Sequence, residues 1–461
     1  MKCRLTRLAL LLSPWLFIAL DVSAAAEDGD RGGRPTTVRD FGAAGDGLAD
    51  DTAAIQRAAD AGGDVRVPAG SYRVTKTIVV DLDAAGPVAF CGKGTARLVM
   101  AGPGPAIRLV GTHQGTADPG SVKPEVWERQ RMPTVDGLAI AGEHPEADGI
   151  EATGTMQLTV TRCHVRGVRH AIHLVDRNRN VIVANCHLYE NRGVGLYLDD
   201  VNLHQINVTG CHISYNDAGG IVVRAGNVRN LHVAGCDLEG NMGADGPATA
   251  NILIDAAGGE AGTAEVAITG CTIQHTHAAP DSANIRFLGL DARGRNWGHL
   301  TIQGNVLSDV QVNVDVRHAR GVNLTGNTFW KGVQHNLRVV ESSNVVIGPN
   351  TMDRNPPYRD EETANDGVLL AGCRDSTITG LHVRGVRRAP AGVVLDDCER
   401  VNLTGCTILD CDNAGILLRN VSRSRVSNCL IDYEPPKAER WLPIVVEGGE
   451  GNQIGGNLLA E

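Results

Sequence analysis

A short segment recurs along most of this chain, and its spacing limits the folds that are open to it. Segments of the form apolar-x-x-Cys-x-apolar contain Cys163, Cys186, Cys211 and Cys236, at intervals of 23, 25 and 25 residues. The pattern returns, with Cys or Asn at its fourth position, at these further residues: Cys271, Asn305, Asn327, Cys406 and Cys429. Self-similarity at such a period is typical of solenoid proteins, in which each repeat packs on its neighbours.

Each recurring segment is followed by a second segment in which apolar residues alternate with others. Examples are GLYLD from Gly195, GIVVR from Gly220 and NIRFL from Asn284. Alternation with period two indicates half-buried strands, and helical periodicity is almost absent. The predicted fold is therefore all-β: a single-stranded right-handed parallel β-helix, a solenoid whose coils stack about 4.8 Å apart, with a short N-terminal capping helix.

The cysteines mark the coils of this solenoid. The chain has 12 cysteines, and without Cys3 the remaining 11 cannot all pair with one another. Asn replaces Cys at the same corner of some repeats, which favours free thiols packed in an internal ladder. Disulfides between neighbouring rungs stay an alternative, because a spacing of about 4.8 Å lies within the range of a disulfide.

The N-terminus has the pattern of a secretory signal peptide. Three basic residues precede an apolar run over residues 8–20, and small residues follow it. We predict a signal peptide over 1–24 and a flexible linker over 25–35, and hence a secreted or periplasmic protein without membrane insertion of the mature chain. An uncleaved anchor is the alternative.

The net charge of −10 argues against nucleic acid as a partner. An acidic polymer would approach this chain only through a local basic strip or a bound cation. The sequence leaves the oligomeric state open.

One segment near the N-terminus resembles a known superfamily. Asp40–Gly63 reads DFGAAGDGLADDTAAIQRAADAGG, and Val65–Val74 reads VRVPAGSYRV. These residues resemble the opening of the pectate-lyase-like superfamily, which includes rhamnogalacturonases, mannuronan C5-epimerases and phage tailspikes. The resemblance implies a pectate-lyase-like parallel β-helix over 36–433, with an N-terminal cap motif in 36–74 and a C-terminal cap over 434–461. It implies no single reaction, because the superfamily includes hydrolases, lyases and epimerases.

Within the cap motif, Asp50 or Asp51 can accept the free amide hydrogens that begin a helix over Thr52–Ala61. Such a helix would cover the open end of the stack. An acidic calcium loop formed by Asp46, Asp50 and Asp51 is the alternative. No cofactor is certain from the sequence, and Ca²⁺ is the one that these residues suggest.

The catalytic motifs of polygalacturonases match only in part. Asp148 resembles one aspartate of that family, but Arg169 and His170 stand where its paired aspartates would follow. Arg192 begins the segment that replaces its histidine motif, and the DPHE motif of mannuronan epimerases is absent. The resemblance therefore carries neither catalytic set to this chain.

The alternation of the strands predicts an outward row down the stack, in this order: Glu151, His173, Tyr197, Val222, Leu253, Arg286, Asp315, Arg338, Leu369, Val394 and Leu417. Two polar patches interrupt this apolar row. The first consists of the predicted catalytic residues: Asp148, Glu151, His170, His173, Arg192 and Tyr197. The second consists of Arg286, Asp315, His335 and Arg338, close to a metal site that His275 and His277 would begin.

The first patch suits removal of the proton beside a uronate carboxylate. Arg192 or a cation would neutralise the carboxylate, His173 would take the proton, and Tyr197 would protonate the leaving oxygen. Alternatively, Asp148 and Glu151 would act as the acid and base of a glycoside hydrolase. A solvated polar face without function is the third interpretation.

The sequence thus predicts a secreted carbohydrate-active protein that acts on a polysaccharide, with uronate-containing polymers favoured. It would be a lyase, an epimerase or a glycosidase, working by β-elimination, epimerisation or hydrolysis. The alternative is a noncatalytic glycan-binding or cell-surface β-helix protein. The aromatic content of 3% favours that alternative, because sugar rings commonly rest on aromatic faces.

Overall fold

Parallel strands wind into coils from the first described residues to the last. A computed structural model of the chain describes residues 37–115, 118–355, 357, 364–434 and 441–459. The predicted signal peptide over 1–24 and the linker over 25–35 lie outside the described residues.

Three columns of strands, which we name A, B and C, run the length of the stack, and their register pairs are all parallel. Column A contains β4 (Ile78–Asp81), β6 (Gly104–Val110), β8 (Ala147–Thr153), the first part of β12 (Ile172–Ala184), the first part of β14 (Leu196–Thr209), β16 (Ile221–Arg224), β19 (Ala250–Asp255), β22 (Ala283–Leu288), β25 (Val310–Arg317), β28 (Gly332–Val340), β31 (Gly367–Ala371), β34 (Val393–Asp396), β37 (Ala414–Arg419) and β40 (Leu442–Glu447).

Column B contains β2 (Gly63–Arg66), the first parts of β5 (Val88–Met100) and β7 (Thr134–Gly142), β9 (Thr155–Met156), β10 (Thr159–Thr161), the later parts of β12 and β14, β17 (Asn227–Ala234), β20 (Ala264–Thr269), β23 (Gly298–Gln303), β26 (Arg320–Thr325), β29 (Ser343–Ile347), β32 (Arg374–Thr379), β35 (Glu399–Thr404), β38 (Arg425–Ser427) and β41 (Gln453–Gly455).

Column C contains β1 (Asp46–Asp50), β3 (Gly70–Val74), the later parts of β5 and β7, β11 (His164–Arg166), β13 (His187–Tyr189), β15 (His212–Ser214), β18 (Asp237–Glu239), β21 (Thr272–Gln274), β24 (Val306–Ser308), β27 (Thr328–Phe329), β30 (Thr351–Met352), β33 (His382–Arg384), β36 (Thr407–Leu409), β39 (Leu430–Asp432) and β42 (Leu458–Leu459). The all-β solenoid predicted from the repeat is confirmed.

Helices are few. They are α1 (Thr52–Ala61), α2 (Leu82–Ala85), α3 (Pro124–Glu128) and two 3₁₀ segments, Val38–Phe41 and Pro119–Ser121. The apolar side of α1 is buried in the core of the stack, as its sequence predicts. Within the described ranges, no helix has both the length and the apolar composition that a membrane crossing requires.

The three aspartates around the start of α1 bind backbone amides or side-chain hydroxyls. Asp50 accepts from the amide of Thr52 at 3.0 Å, as predicted for one of the two candidates. Asp51 instead accepts from the amides of Ala44 and Gly45, and Asp46 accepts from its own turn. These bonds explain the motif as a folding element.

Seven of the described cysteines line the corner between columns B and C: Cys163, Cys186, Cys211, Cys236, Cys271, Cys406 and Cys429. Cys163, Cys186 and Cys211 are fully buried, and each thiol donates to the carbonyl two residues earlier. All 11 described cysteines are free. Asn305 and Asn327 continue the same corner, with their side chains joined by a 3.0 Å hydrogen bond. The ladder expected from the repeat is therefore present with free thiols.

A second ladder, made of asparagines, fills the corner between columns C and A. Its members are Asn191, Asn216, Asn241, Asn251, Asn284, Asn313 and Asn336, and all are buried. Each side-chain amide donates to the next member at 2.7–2.8 Å. The ladder satisfies polar groups that would otherwise be buried without partners.

Asn216→Ala is expected to lower the free energy of unfolding by about 1–3 kcal/mol, because it leaves buried groups of Asn191 and Asn241 without their partner. Urea unfolding followed by circular dichroism measures this change. The matched control is Asn207→Ala, which removes an exposed side chain and should change stability by at most about 0.5 kcal/mol. Equal effects of the two substitutions would contradict the ladder's role.

The C-terminal residues add one more coil. Strands β40, β41 and β42 pair in parallel with β37, β38 and β39. Several of their apolar side chains are exposed, including Leu442 and Leu458. The predicted cap over 434–461 is described only over residues 434 and 441–459, and its capping role stays a prediction.

Candidate active site on column A

The outward row of column A has the register that the sequence predicts. His173 pairs with Glu151 on one side and with Tyr197 on the other. The row continues through Val222, Leu253, Arg286, Asp315, Arg338, Leu369, Val394 and Leu417 in the predicted order.

A side chain that points outward in this row is not always exposed to solvent. Val222 and Leu253 are buried, since residues that precede the strands, such as Val194 and Ala218, pack over them. The row is therefore not one continuous open groove, and its two polar patches are separated by a buried apolar stretch.

Three rings of the first patch form one cluster. The rings of His173 and Tyr197 stack with their centroids 5.1 Å apart and their planes 4° apart. The ring of His170 lies 5.3 Å from His173 and 5.1 Å from Tyr197. Parallel pairing brings His173 and Tyr197 together, and His170 joins them from the connection that leads into β12.

Asp199 lies beside His173 and influences Tyr197. Its Oδ2 lies 3.2 Å from Nε2 of His173. Burial and a hydrogen bond to Asp199 raise the pKa of Tyr197 to about 12, so the phenol keeps its proton at neutral pH. Because a carboxylate only accepts, Nε2 of His173 is the protonated nitrogen in the neutral ring. Its Nδ1 is buried and has no hydrogen-bond partner among the described residues.

His170 is held in its neutral form. Burial, together with the positive charges of a protonated His173 and of Arg169, lowers its pKa to about 4, although Asp148 acts in the opposite direction. Its Nδ1 accepts from the amide of Val194 at 3.1 Å. At pH 7, His170 is therefore an uncharged neighbour of His173 and Tyr197.

The two carboxylates that the sequence offers for hydrolysis are both ion-paired. Asp148 is buried and accepts from Arg169 at 2.9 and 2.6 Å. Burial opposes ionisation, but the bonds from Arg169 and from the amide of His170 outweigh it, so the pKa of Asp148 lies below its usual value. Glu151 accepts from Nε of Arg108 at 2.6 Å, and its other oxygen lies 3.9 Å from Nδ1 of His173.

Arg192 is not brought into this cluster. Its guanidinium donates to the carbonyls of Gly167, His144 and Pro145 at 2.7–3.0 Å, because it lies at the corner before the strand. The cation beside the cluster is Arg224, which pairs in register with Asp199. Arg224 is exposed and forms no ion pair with any residue that the structure describes.

Asp199 and Arg224 were not predicted as site residues, because the predicted row contains only one outward position of each strand. Both residues lie two positions beyond that row, on the same face of column A. The period of two that identified the row would have identified them as well. Arg108 and Arg169 were missed as partners because their contacts depend on side-chain directions.

The second patch is a dense ion-pair network. The buried carboxylate of Asp315 lies 2.9 Å from nitrogen atoms of Arg286, Arg317 and Arg338. Burial raises its pKa, but the bonds from Arg338 and Arg317 outweigh burial and hold the pKa below the usual range. Burial and Arg338 lower the pKa of His335 to about 4. Both carboxylate oxygens of Asp315 accept hydrogen bonds from arginines, so this patch has a structural role.

Family models match three successive parts of the chain. Residues 36–106 match the model described as rhamnogalacturonase A/epimerase, pectate lyase-like, and residues 128–252 match the right-handed beta helix region. The chain is a pectate-lyase-like parallel β-helix protein. Residues 265–461 match the model described as periplasmic copper-binding protein (NosD).

Curated relatives of this pectate-lyase-like protein match it over a short segment. Mannuronan C5-epimerase AlgE5 of Azotobacter vinelandii is 63% identical over 43 residues, which are 8% of this chain and 4% of that relative. Mannuronan C5-epimerase AlgE2 of the same organism matches to the same extent. The matched segment is thus a small part of each relative.

Two solved structures align with most of the chain. The tailspike protein gp49 from Pseudomonas phage LKA1 is 13% identical, with 90% of this chain and 83% of that chain covered and a TM-score of 0.54. The A-module of Azotobacter vinelandii mannuronan C-5 epimerase AlgE4 is 16% identical, with 92% and 100% covered and a TM-score of 0.42.

No metal site built from histidine, cysteine or carboxylate side chains is found among the residues that the structure describes. Nε2 of His275 lies 3.8 Å from the carboxylate of Glu239, and no group of three ligands includes His275 or His277, the pair that the sequence offered as the start of a metal site. The three aspartates of the calcium loop considered at the N-terminal cap, Asp46, Asp50 and Asp51, do not form such a group either.

The neutral histidines of this β-helix should make its stability depend on pH. The pKa of His113, His170 and His335 is about 4 in the folded chain, whereas the unfolded chain binds these protons near pH 6.5. Between these values the unfolded state holds more protons, so the free energy of unfolding falls as the pH falls from about 6.5 to 4, by roughly 1–2 kcal/mol for each imidazole.

Urea midpoints at pH 7 and pH 5 measure this slope. His170→Gln should make the decline smaller, whereas His212→Gln, which changes an exposed imidazole, should leave it as in the unmodified chain. An unchanged slope in His170→Gln would contradict the assignment of a neutral His170.

Proposed function

We propose that this protein removes the proton beside the carboxylate of a uronate residue in a polysaccharide, as a lyase or an epimerase does. One observation carries the proposal: Asp199 lies 3.2 Å from His173, which stacks on Tyr197, and lies in register with Arg224, which is exposed and forms no ion pair with the described residues. A base, a protonated acid and a carboxylate-binding cation therefore lie within neighbouring strands of one column.

Each side chain has a role in this chemistry. Arg224 pairs with the uronate carboxylate and stabilises the negative charge that develops on it. Nδ1 of His173, oriented by the hydrogen bond from Nε2 to Asp199, takes the proton, and the resulting imidazolium lies between the carboxylates of Asp199 and Glu151. Tyr197, whose pKa is about 12, is the proton donor.

In β-elimination, the C5 proton goes to the base and the C5–H electrons form the C4–C5 double bond. The bond between C4 and the glycosidic oxygen breaks, and Tyr197 protonates that oxygen. In epimerisation, no glycosidic bond breaks, and C5 regains a proton on the opposite face of the ring. Both reactions need the same base and the same neutralised carboxylate.

Hydrolysis fits the cluster less well. A glycosidase needs one carboxyl group that is protonated near neutral pH, beside a second that is ionised. Asp148 has a lowered pKa and a bidentate arginine, and Glu151 is bound to Arg108. Neither carboxyl group is arranged to donate a proton.

The relatives give further support for the substrate class. The curated proteins that match 43 residues of this chain are named mannuronan C5-epimerases, and a mannuronan is a uronate polymer. The signal peptide expected over 1–24 would deliver the protein to the periplasm or the medium, where such polymers occur.

The experiment is incubation of the purified mature protein with pectic, alginate, glycosaminoglycan and neutral glycans, with and without Ca²⁺. Ultraviolet absorbance follows unsaturated uronates, and a reducing-end assay follows chain cleavage. A rise in both signals on a uronate polymer is the expected result for a lyase, and altered C5 stereochemistry without cleavage is expected for an epimerase. Reducing ends without unsaturation would contradict the proposal in favour of hydrolysis, and binding without turnover would favour a noncatalytic glycan-binding protein.

A further inference from the structure

We propose that a second surface of this protein binds a stretch of acidic polysaccharide at a distance from the ring cluster. This surface, which we name the arginine groove, contains Arg295, Trp297, Arg320, Arg374 and Arg400. The choice of an acidic glycan as its ligand rests on the proposed function, but the existence of the groove does not.

The groove follows the axis of the solenoid at the start of column B. Its floor is set by strand starts that pair in register from coil to coil: Gly298, Arg320, Ser343, Arg374 and Glu399. Four coil spacings extend over about 19 Å, which is long enough for a short oligosaccharide. Its volume is about 770 Å³, within the range of ligand sites.

Two arginines of the groove are available to a ligand. Arg320 and Arg374 are exposed, and neither forms an ion pair within the described part of the chain. Arg295 and Arg400 are partly occupied by Asp291 and Asp375. The groove thus combines four guanidinium groups with two lining carboxylates, Asp375 and Glu399, in a protein whose net charge is −10. It supplies the local basic strip that an acidic polymer requires on this chain.

At one end of the groove, Trp297 and Asp291 fix the position of Arg295. The guanidinium groups of Arg229 and Arg295 lie 4.5 and 5.2 Å from the centre of its ring. The indole N–H donates to Asp291 at 2.9 Å, and the same carboxylate accepts from Arg295. The Arg295 cation is therefore fixed before a ligand arrives, which lowers the entropic cost of binding.

The remaining lining suits sugar hydroxyls. Asn296, Ser343 and Asn344 line the groove beside the arginines and offer donors and acceptors to a hydroxylated chain. Nucleic acid is the poorer fit, because its dense line of phosphates would meet the acidic remainder of the protein. Carboxylated and sulfated glycans share the chemistry that this groove recognises.

The test is binding of the full mature chain to alginate, polygalacturonate, heparin and neutral dextran by affinity electrophoresis, with a single-stranded DNA oligonucleotide for comparison. The variant Arg320→Gln/Arg374→Gln should bind at least one acidic glycan about tenfold more weakly than the unmodified chain, because two charge-assisted contacts are lost. The matched control is Lys76→Gln/Arg97→Gln, which removes two exposed cations elsewhere and should bind within about twofold of the unmodified chain.

Equal weakening by both double variants, or no binding of acidic glycans by the unmodified chain, would overturn the proposal. Binding of DNA as strong as that of the glycans, and equally sensitive to Arg320 and Arg374, would overturn the assignment of the ligand. Alginate and heparin distinguish carboxylate from sulfate recognition. The binding test can be told apart from the test of the proposed function, because His173→Ala should retain glycan binding in the groove whether or not the chain is an enzyme.

Discussion

His173→Ala is expected to lower the turnover number on the polysaccharide substrate by about 10²–10⁴-fold, the usual contribution of a general base. His173 lies between the carboxylates of Asp199 and Glu151 and stacks on Tyr197, and its imidazole is the proposed acceptor of the transferred proton. Tyr197→Phe should cause a similar loss, because it removes the proton donor but keeps the ring. Steady-state kinetics measures both effects.

A matched control lies on column C. His187 and Tyr189 also form an imidazole–phenol pair, with Nδ1 and the phenol oxygen 3.4 Å apart, but neither contacts the ring cluster. His187→Ala and Tyr189→Phe should leave turnover unchanged. Retained activity in both His173→Ala and Tyr197→Phe, with folding confirmed by circular dichroism, would remove the ring cluster from the mechanism.

Asp315→Asn is expected to lower the free energy of unfolding by about 3–5 kcal/mol, since it removes the buried counter-charge that three arginines share. Among the residues that the structure describes, Arg286 and Arg338 then keep only the partly exposed Asp281 as an ion-pair partner. The side chain of Asp315 is 0% exposed, and Arg286 beside it is 5% exposed. The asparagine has nearly the same volume, so a packing defect cannot account for such a loss. Urea unfolding at pH 7 measures it.

The control for this prediction is Glu190→Gln. It breaks the surface pair of Glu190 with Arg166, whose side chains are 53% and 58% exposed, and should cost at most about 1 kcal/mol. A loss below about 1 kcal/mol for Asp315→Asn would mean that water already screens the network around Asp315.

The fold could be predicted because its determinants are local and repeated. The interval between corner residues fixed the length of a coil, and alternation fixed which side chain of each strand points outward. The row from Glu151 to Leu417 therefore has the predicted register throughout. The helix over Thr52–Ala61 could be predicted from the same segment that resembles the superfamily.

The site could be predicted only in part. Register alone brings Glu151, His173 and Tyr197 together, because parallel pairing leaves no choice. The direction of Arg192 could not be predicted, since a long side chain at a corner can turn toward several backbone carbonyls. Burial of Val222 was also missed, because it depends on how the preceding connections pack.

Exchange of the C5 hydrogen of a uronate polymer with solvent decides whether the cluster of Asp199, His173 and Tyr197 transfers a proton. The protein is incubated with alginate, polygalacturonate and glycosaminoglycans in heavy water, and the polymers are examined by NMR and mass spectrometry. We expect deuterium at C5, or unsaturated products that have lost this hydrogen, and we expect neither with His173→Ala. New reducing ends that retain the C5 hydrogen, or no change in any uronate polymer, would contradict the assignment of Asp199, His173 and Tyr197 to proton transfer.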